Sequence, residues 1–324
     1  MLLSLFGAVV ALFLLQPGSS PAPFDSPLNA TGERVAQDRQ TPEGTSLSGK
    51  PLISAPPTGE TKMRLEADLA KAQADYDRDP SNADAAIWLG RRLAYLGRFR
   101  DAIDVYTRGI ARHPNEPRLY RHRGHRYITV RKLDEAITDL RKASQLIAGK
   151  TDEIEQDGAP NKAGVPRSTL QSNIWYHLGL AQYLKGDFRS ALASYQEGMK
   201  VSRVNDDMLV ATSDWLYMTL RRLKRDDEAK RVLDPIKEQM DILENGAYHA
   251  RLLMYKGQKT PESVLNLNTA DDVQIATQGY GVGNWYLVNG DKTKAKEIFD
   301  RVVAGKAWPA FGYIAAEADL KRGL

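Results

Sequence analysis

The chain has 324 residues, 42% of them hydrophobic, and 45 lysines and arginines against 41 aspartates and glutamates give a net charge of +4. That is apolar content enough for one or two compact domains or one extended array, and too little charge for a polyelectrolyte. With no cysteine, disulfides, thiolate metal sites, a cysteine nucleophile and a lipid-bearing cysteine are all excluded.

Residues 2–15 (LLSLFGAVVALFLL) are uncharged and apolar, and small residues follow at Gly18, Ser19, Ser20 and Ala22. This is the pattern of a signal-peptide core and cleavage region over residues 1–22. As a helix the run rises about 21 Å, short of a hydrocarbon core of about 30 Å, which favours cleaved export over a membrane anchor. The remainder is therefore expected outside the cytosol, periplasmic or secreted, and the membrane is touched only if the N-terminal segment stays uncleaved. Eight of the sixteen prolines fall between residues 17 and 61. Proline removes backbone donors and resists helix, so residues 23–61 read as a flexible linker.

After Lys62 the spacing of Leu65, Leu69, Ala72 and Tyr76 predicts a lone leading helix over 63–76. From Ala83 the sequence repeats every 34 residues: Gly90 and Gly124 share the eighth place, Ala102 and Ala136 the twentieth. The register restarts at Ser172 with Gly179, Ala191 and Tyr195, near Val210 with Leu216 and Ala229, and near Ala276 with Gly283, Ala295 and Phe299. Small residues in two columns let paired helices approach, and large ones beside them fill the remaining space. Gly97, Gly186, Gly257 and Gly290 fall at the fifteenth place, where a first helix ends and a left-handed cap is wanted. Rows are assigned over 83–116, 117–150, 172–205, 210–242, 243–275 and 276–309, the fourth and fifth being degraded. A closing helix follows over 309–322. Between the second and third rows an acidic insert, residues 150–171, carries Asp152, Glu153, Glu155 and Asp157 and interrupts the period.

These columns resemble the tetratricopeptide repeat, a helix-turn-helix unit of 34 residues. The resemblance spans Lys62 to Gly323. It implies an all-α, right-handed superhelical solenoid of about five or six hairpins, with extra capping helices at both ends. In members of the family that bind peptides, the second, fifth, ninth, twelfth and thirteenth places of the first helix line a concave groove. Here that implies Arg91 and Tyr95 in the first row, Arg118, Arg121 and His125 in the second, Asn173, Tyr176 and Tyr183 in the third, and Asp214 and Arg222 in the fourth.

Chemically the set suits a peptide. Arginine forks carboxylates, asparagine holds backbone, and tyrosine supplies rigid contact area. Residues 83–150 hold fifteen basic and seven acidic side chains, so an acidic segment or a chain-terminal carboxylate is the expected ligand, and the acidic insert itself could fold back onto these rows. Metal binding is not expected. His122 and His125 stand about 60° apart on a helix, but Arg121, Arg123 and Arg126 surround them and no carboxylate lies beside them in sequence. The glycine-rich GYGVGNW at 279–285 lacks the third spaced glycine of a dinucleotide loop and coincides with a first helix. No nucleic-acid module is evident, and no Ser/His/Asp order or paired-carboxylate motif is present. The expectation is a non-catalytic adaptor without cofactors that binds a protein or peptide partner. The alternatives are an enzyme or small-ligand site near residues 279–308, or a homo-oligomeric structural protein.

Overall fold

The computed structural model describes residues 41–324 except Pro56 and Ala159. The signal segment predicted over 1–22 and the linker up to residue 40 lie outside the described residues. Among the described residues, a two-stranded antiparallel hairpin, β1 (Gly44–Thr45) and β2 (Pro51–Leu52), precedes the leading helix α1 (Gly59–Arg78). Six helical hairpins follow: α2 (Ala83–Tyr95) with α3 (Phe99–Arg112), α4 (Pro117–Thr129) with α5 (Leu133–Leu146), α6 (Leu170–Lys185) with α7 (Phe188–Val201), α8 (Asp206–Arg222) with α9 (Asp226–Val232), α10 (Gly246–Tyr255) with α11 (Pro261–Val264), and α12 (Asp272–Val288) with α13 (Lys292–Ala304). A last helix, α14 (Phe311–Arg322), closes the chain. None of these helices is long and apolar enough to cross a membrane.

The repeat columns explain the hairpins. A Cβ added to Gly179 would stand 2.7 Å from Cε1 of Tyr195, one on Gly283 2.5 Å from Cε1 of Phe299, and one on Gly124 2.7 Å from Cγ of Leu140. Each eighth-place glycine is thus the socket for the twenty-fourth-place side chain of the same row. Beside these sockets Ala102, Ala136, Ala191, Ala229 and Ala295 are fully buried. Helix starts are set locally: the Asn82 side chain accepts from Asp84 N and Ala85 N, Pro117 opens α4, and Thr169 and Ser172 form a capping box before α6. At the turn between helices, Gly97, Gly186, Gly257 and Gly290 take positive φ (75°, 83°, 79° and 94°). In the second and fourth rows the same place is Arg131 (φ 66°) and Lys224 (φ 58°), where an L side chain crowds the backbone.

In the first three rows the second helix packs on the next first helix, α3 on α4, α5 on α6 and α7 on α8, and the successive first helices touch one another as a continuous inner layer. The degraded rows bend this stack. α9 is two turns and α11 one turn, and α8 touches both α10 and α12. α14 packs on α12 and α13 as a closing helix should, but it also reaches α6 across the inner face. Its Ala315, Ala316 and Ala318 are buried, and such small side chains permit that close approach.

The linker expectation is corrected from residue 42 onward. Instead of a free tether, the hairpin is docked on the array: Glu43 Oε2 accepts from Arg100 N (2.8 Å), Ser54 Oγ donates to Gly97 O (2.7 Å), and Leu52 is buried. Trp308 Nε1 donates to Ile53 O (2.8 Å), and its ring meets Phe99 edge-on with centroids 5.5 Å apart. The two ends of the array therefore meet. Proline cost this segment regular structure, but its backbone groups pair within the hairpin or, at Leu47 N and Ile53 O, with Glu317 and Trp308.

Candidate functional site

The inner face is not an open groove. Of the ten predicted groove residues, Arg121, His125, Asn173, Tyr176, Tyr183 and Asp214 are buried and the rest are partly buried. Two elements cover them, the insert and α14.

The insert turns inward, onto the basic rows. Its two ends pair, Glu155 N to Ser168 O and Leu170 N to Glu153 O (both 2.9 Å). Asp152 accepts from Thr169 Oγ1 (2.6 Å) and Gln171 N (3.0 Å) at the start of α6. Its outer part is tied down by Asn161 Nδ2 to Glu244 Oε1 (2.6 Å) and by Arg167 to Asp241 (2.6 Å). Between these anchors Glu155 enters the inner face, where Arg121 Nη2 (3.0 Å) and Asn173 Nδ2 (3.1 Å) hold its carboxylate. Arg91 Nη1 donates to Gln156 O (2.8 Å) and Arg92 Nη1 to Gly158 O (2.9 Å). Gly158 lies against the Tyr95 ring, whose Cζ would be 2.7 Å from any Cβ there. Arg91 stacks over Trp88 at 4.6 Å, which holds its fork in place. Arg91, Tyr95, Arg121 and Asn173 thus do converge, around one carboxylate and two backbone carbonyls.

The other predicted residues belong to different arrangements. Arg118 is turned away into a contact between rows, with Glu116 (2.8 Å) and Asp84 (2.6 Å). Tyr176, Tyr183, Asp214 and Arg222 are tied up beneath or beside α14. Tyr176 Oη lies 2.6 Å from Tyr248 Oη and accepts from Trp215 Nε1 (2.8 Å). Asp214 takes both forks of the buried Arg251 (3.0 and 2.7 Å). Arg222 grips both oxygens of Asp319 on α14 (2.9 Å each), and Tyr280 Oη donates to the same carboxylate (2.9 Å) and lies 2.7 Å from Tyr183 Oη. Here Arg222 is taken by the chain's own last helix and Asp214 by Arg251 of α10. Arg251, and Arg131, which also holds the last helix, were not among the predicted ten. Arg131 Nε donates to Glu317 Oε2 (2.9 Å) and its Nη2 to Trp308 O (2.9 Å), while Leu47 N donates to Glu317 Oε1 (2.8 Å).

His122, His125 and His177 lie between these two regions. His125 lies tilted against His177 (centroids 4.4 Å) and against Phe311 of α14 (5.2 Å). Burial, reinforced by the Arg121 and Arg126 charges, holds all three imidazoles well below their ordinary range, hence neutral. His177 Nδ1 donates to Asn173 O (2.6 Å) and its Nε2 is buried without a partner. Among the described residues no three of His, Asp and Glu are placed to hold a metal ion. The glycines at 279, 281 and 283 are sockets for Val302, Arg251 and Phe299, which accounts for GYGVGNW as packing.

The tetratricopeptide-repeat profile matches residues 172–205, the α6–α7 hairpin. No curated protein matches the sequence. Among solved structures the chain is similar to YrrB, described as a TPR protein with an unusual peptide-binding site (15% identity, 73% of this chain and 92% of that one, TM-score 0.41). It is also similar to TTC0263, a thermophilic TPR protein in Thermus thermophilus (19%, 59% and 92%, 0.44), and to Pseudomonas aeruginosa pilF (13%, 75% and 85%, 0.44). At such identities and TM-scores these likenesses carry nothing about partner or chemistry.

Proposed function

From the premise that the chain is a tetratricopeptide-repeat protein, as its stacked hairpins and the match over 172–205 make it, we propose that it is a non-catalytic adaptor whose inner face binds an acidic segment of a partner protein in the bacterial cell envelope. The fold suggests a protein–protein interaction adaptor, and proteins of this family are typically non-catalytic. The finer reading rests on one observation. Arg121 and Asn173 hold the Glu155 carboxylate while Arg91 and Arg92 hold the carbonyls of Gln156 and Gly158, which is how a bound peptide strand would be held by one side chain and its backbone. The helices supply these donors in fixed positions, so a partner would bind with little ordering cost on this side. The envelope location is supported by the apolar run 2–15 and the small residues after it.

The test is capture of partners from native envelope fractions with the full chain, followed by the Arg91→Glu, Arg121→Glu double variant. Partners retained by the wild type are expected to be lost from the double variant while its circular dichroism stays helical. Unchanged capture would remove the inner face from consideration, and fractionation of the protein with the cytosol would remove the envelope.

A further inference from the structure

The strap formed by residues 155–158 satisfies its site incompletely. Arg121 is 5% exposed, yet its Nε is buried without an acceptor, and Asp157 Oδ2 is buried without a donor. Arg126, one turn further along α4, lies over the Phe99 ring at 5.6 Å, and among the described residues no carboxylate pairs with it. Burial, with the Arg121 and Arg91 charges adding to it, pulls its guanidinium down to about 10. Burial likewise pushes the Asp157 carboxyl up to about 6, against the opposing pull of Arg91. Arg91 and Arg121 thus lie about one well-held carboxylate, Arg126 stands near enough to both for their charges to act on it, and among the described residues Asp157 Oδ2 finds none of the three as a hydrogen-bond partner. A permanently structural loop gains nothing from this mismatch, because a half-satisfied buried polar network is less stable than a satisfied one or an apolar contact. The Asp214–Arg251 pair in the same molecule shows the alternative, with both forks taken.

Resting on the reading above, we propose that residues 155–158 are a built-in competitor for the inner-face site, and that the partner segment displacing them carries two carboxylates, one taken by Arg121 and a second by Arg126, which the strap leaves without one. A second charge-assisted pair in a water-poor site is the difference in interaction that shifts the equilibrium from strap to partner. The strap then sets a threshold, since segments with a single acid compete with an equal already in place.

The chain has no cysteine, so Lys162→Cys at the exposed outer part of the strap gives one spin-label position in the full-length protein. Two synthetic heptapeptides serve as probes: DEIEQDG, which copies residues 152–158, and DEIEEDG, which adds a carboxylate. DEIEEDG is expected to bind about tenfold tighter than DEIEQDG and to mobilise the label, and Glu155→Gln is expected to tighten both peptides by about tenfold by weakening the competitor. Arg126→Gln should erase the preference between the peptides, and Arg126→Lys, which keeps the charge but not the fork, should reduce it if the first variant does not fold. Peptide binding with an immobile label and no gain from Glu155→Gln overturns the competitor while leaving the peptide site standing. Absence of any peptide binding to folded Glu155→Gln overturns the peptide site itself. Equal displacement by inorganic phosphate shows a general anion site and overturns the two-carboxylate segment.

Discussion

The two halves of the inner face treat buried charge in opposite ways. In the C-terminal half two cations are matched in geometry as well as in sign: Arg251 with Asp214, and Arg222 with Asp319, which also accepts from Tyr280. In the N-terminal half Arg91 and Arg121 lie about Glu155 with Arg126 near both, and among the described residues Arg121 Nε and Asp157 Oδ2 are left without partners. The matched half holds α14, an element that belongs to the fold. The unmatched half holds a strap whose outer end reaches solvent. The difference separates contacts that close the molecule from contacts that can be exchanged.

Removing one partner on each side tests this most strongly. Asp214→Asn strands the buried Arg251 charge, and a loss of about 3–5 kcal/mol is expected in urea unfolding. Arg121→Ala frees Glu155 on a strap that can turn outward, so a loss of about 1 kcal/mol is expected. Equal losses from the two would erase the distinction between the halves.

Acid sharpens the comparison because it acts on the strap and on the packed histidines behind it with opposite signs. Burial, with Asp157 and Asp207 adding to it, pushes Glu244 up to about 7 against Asn161 and Arg167, and Asp157 stands at about 6 beside Glu155 and Arg91. For acids raised in the folded state, the stabilisation is complete below their unfolded values and is lost as pH rises through about 6 to 7. The strap is therefore held more tightly in mild acid than at pH 8. The three buried histidines have lowered folded values, so their contribution is present above their unfolded value near 6.5 and is lost as pH falls below it. Amide exchange at residues 153–165, corrected for intrinsic rate, should slow by about threefold to tenfold from pH 8 to pH 5.5 while the global urea midpoint falls. Parallel movement of the two would show that strap and core open as one unit.

Much of the fold was legible because it is periodic. Gly90, Gly124, Gly179 and Gly283 recur at one place and each proves to be a socket, and four of the six turn positions announce themselves as glycine. The candidate site was legible only in part. Arg91, Tyr95, Arg121 and Asn173 were readable from their columns, and Arg251 was readable by the same rule as the ninth place of the fifth row, once the degraded row is admitted. That the acidic insert could fold back onto the basic rows was readable from its charge, but that α14 covers the rest was not, because the acids that fix it, Glu317 and Asp319, lie far in sequence from their partners and carry no period. The hairpin at 44–52 was hidden for a related reason: its proline-rich composition describes local preference, and docking onto Arg100, Gly97 and Trp308 is a long-range event.

The smallest expected effect concerns the two turns that break the glycine column, one in each half. Arg131 and Lys224 both take positive φ (66° and 58°), a conformation that costs an L residue about 1–2 kcal/mol. Arg131 offsets that cost, since its guanidinium joins Glu317, Thr129 O and Trp308 O where the two ends of the array meet. Lys224 is exposed, and among the described residues no carboxylate or carbonyl holds its ammonium in the same way. Arg131→Gly should therefore relieve the backbone and still destabilise, by about 2–4 kcal/mol, because Glu317 is left buried and uncompensated. Lys224→Gly removes the same crowding with nothing lost but unfolded-chain entropy, and a gain of about 0.5–1 kcal/mol is expected. Opposite signs from the same substitution at the same repeat position would show that the strained arginine is retained for the helix it clasps, whereas a gain from both would mean that the Glu317 contact adds nothing to closure.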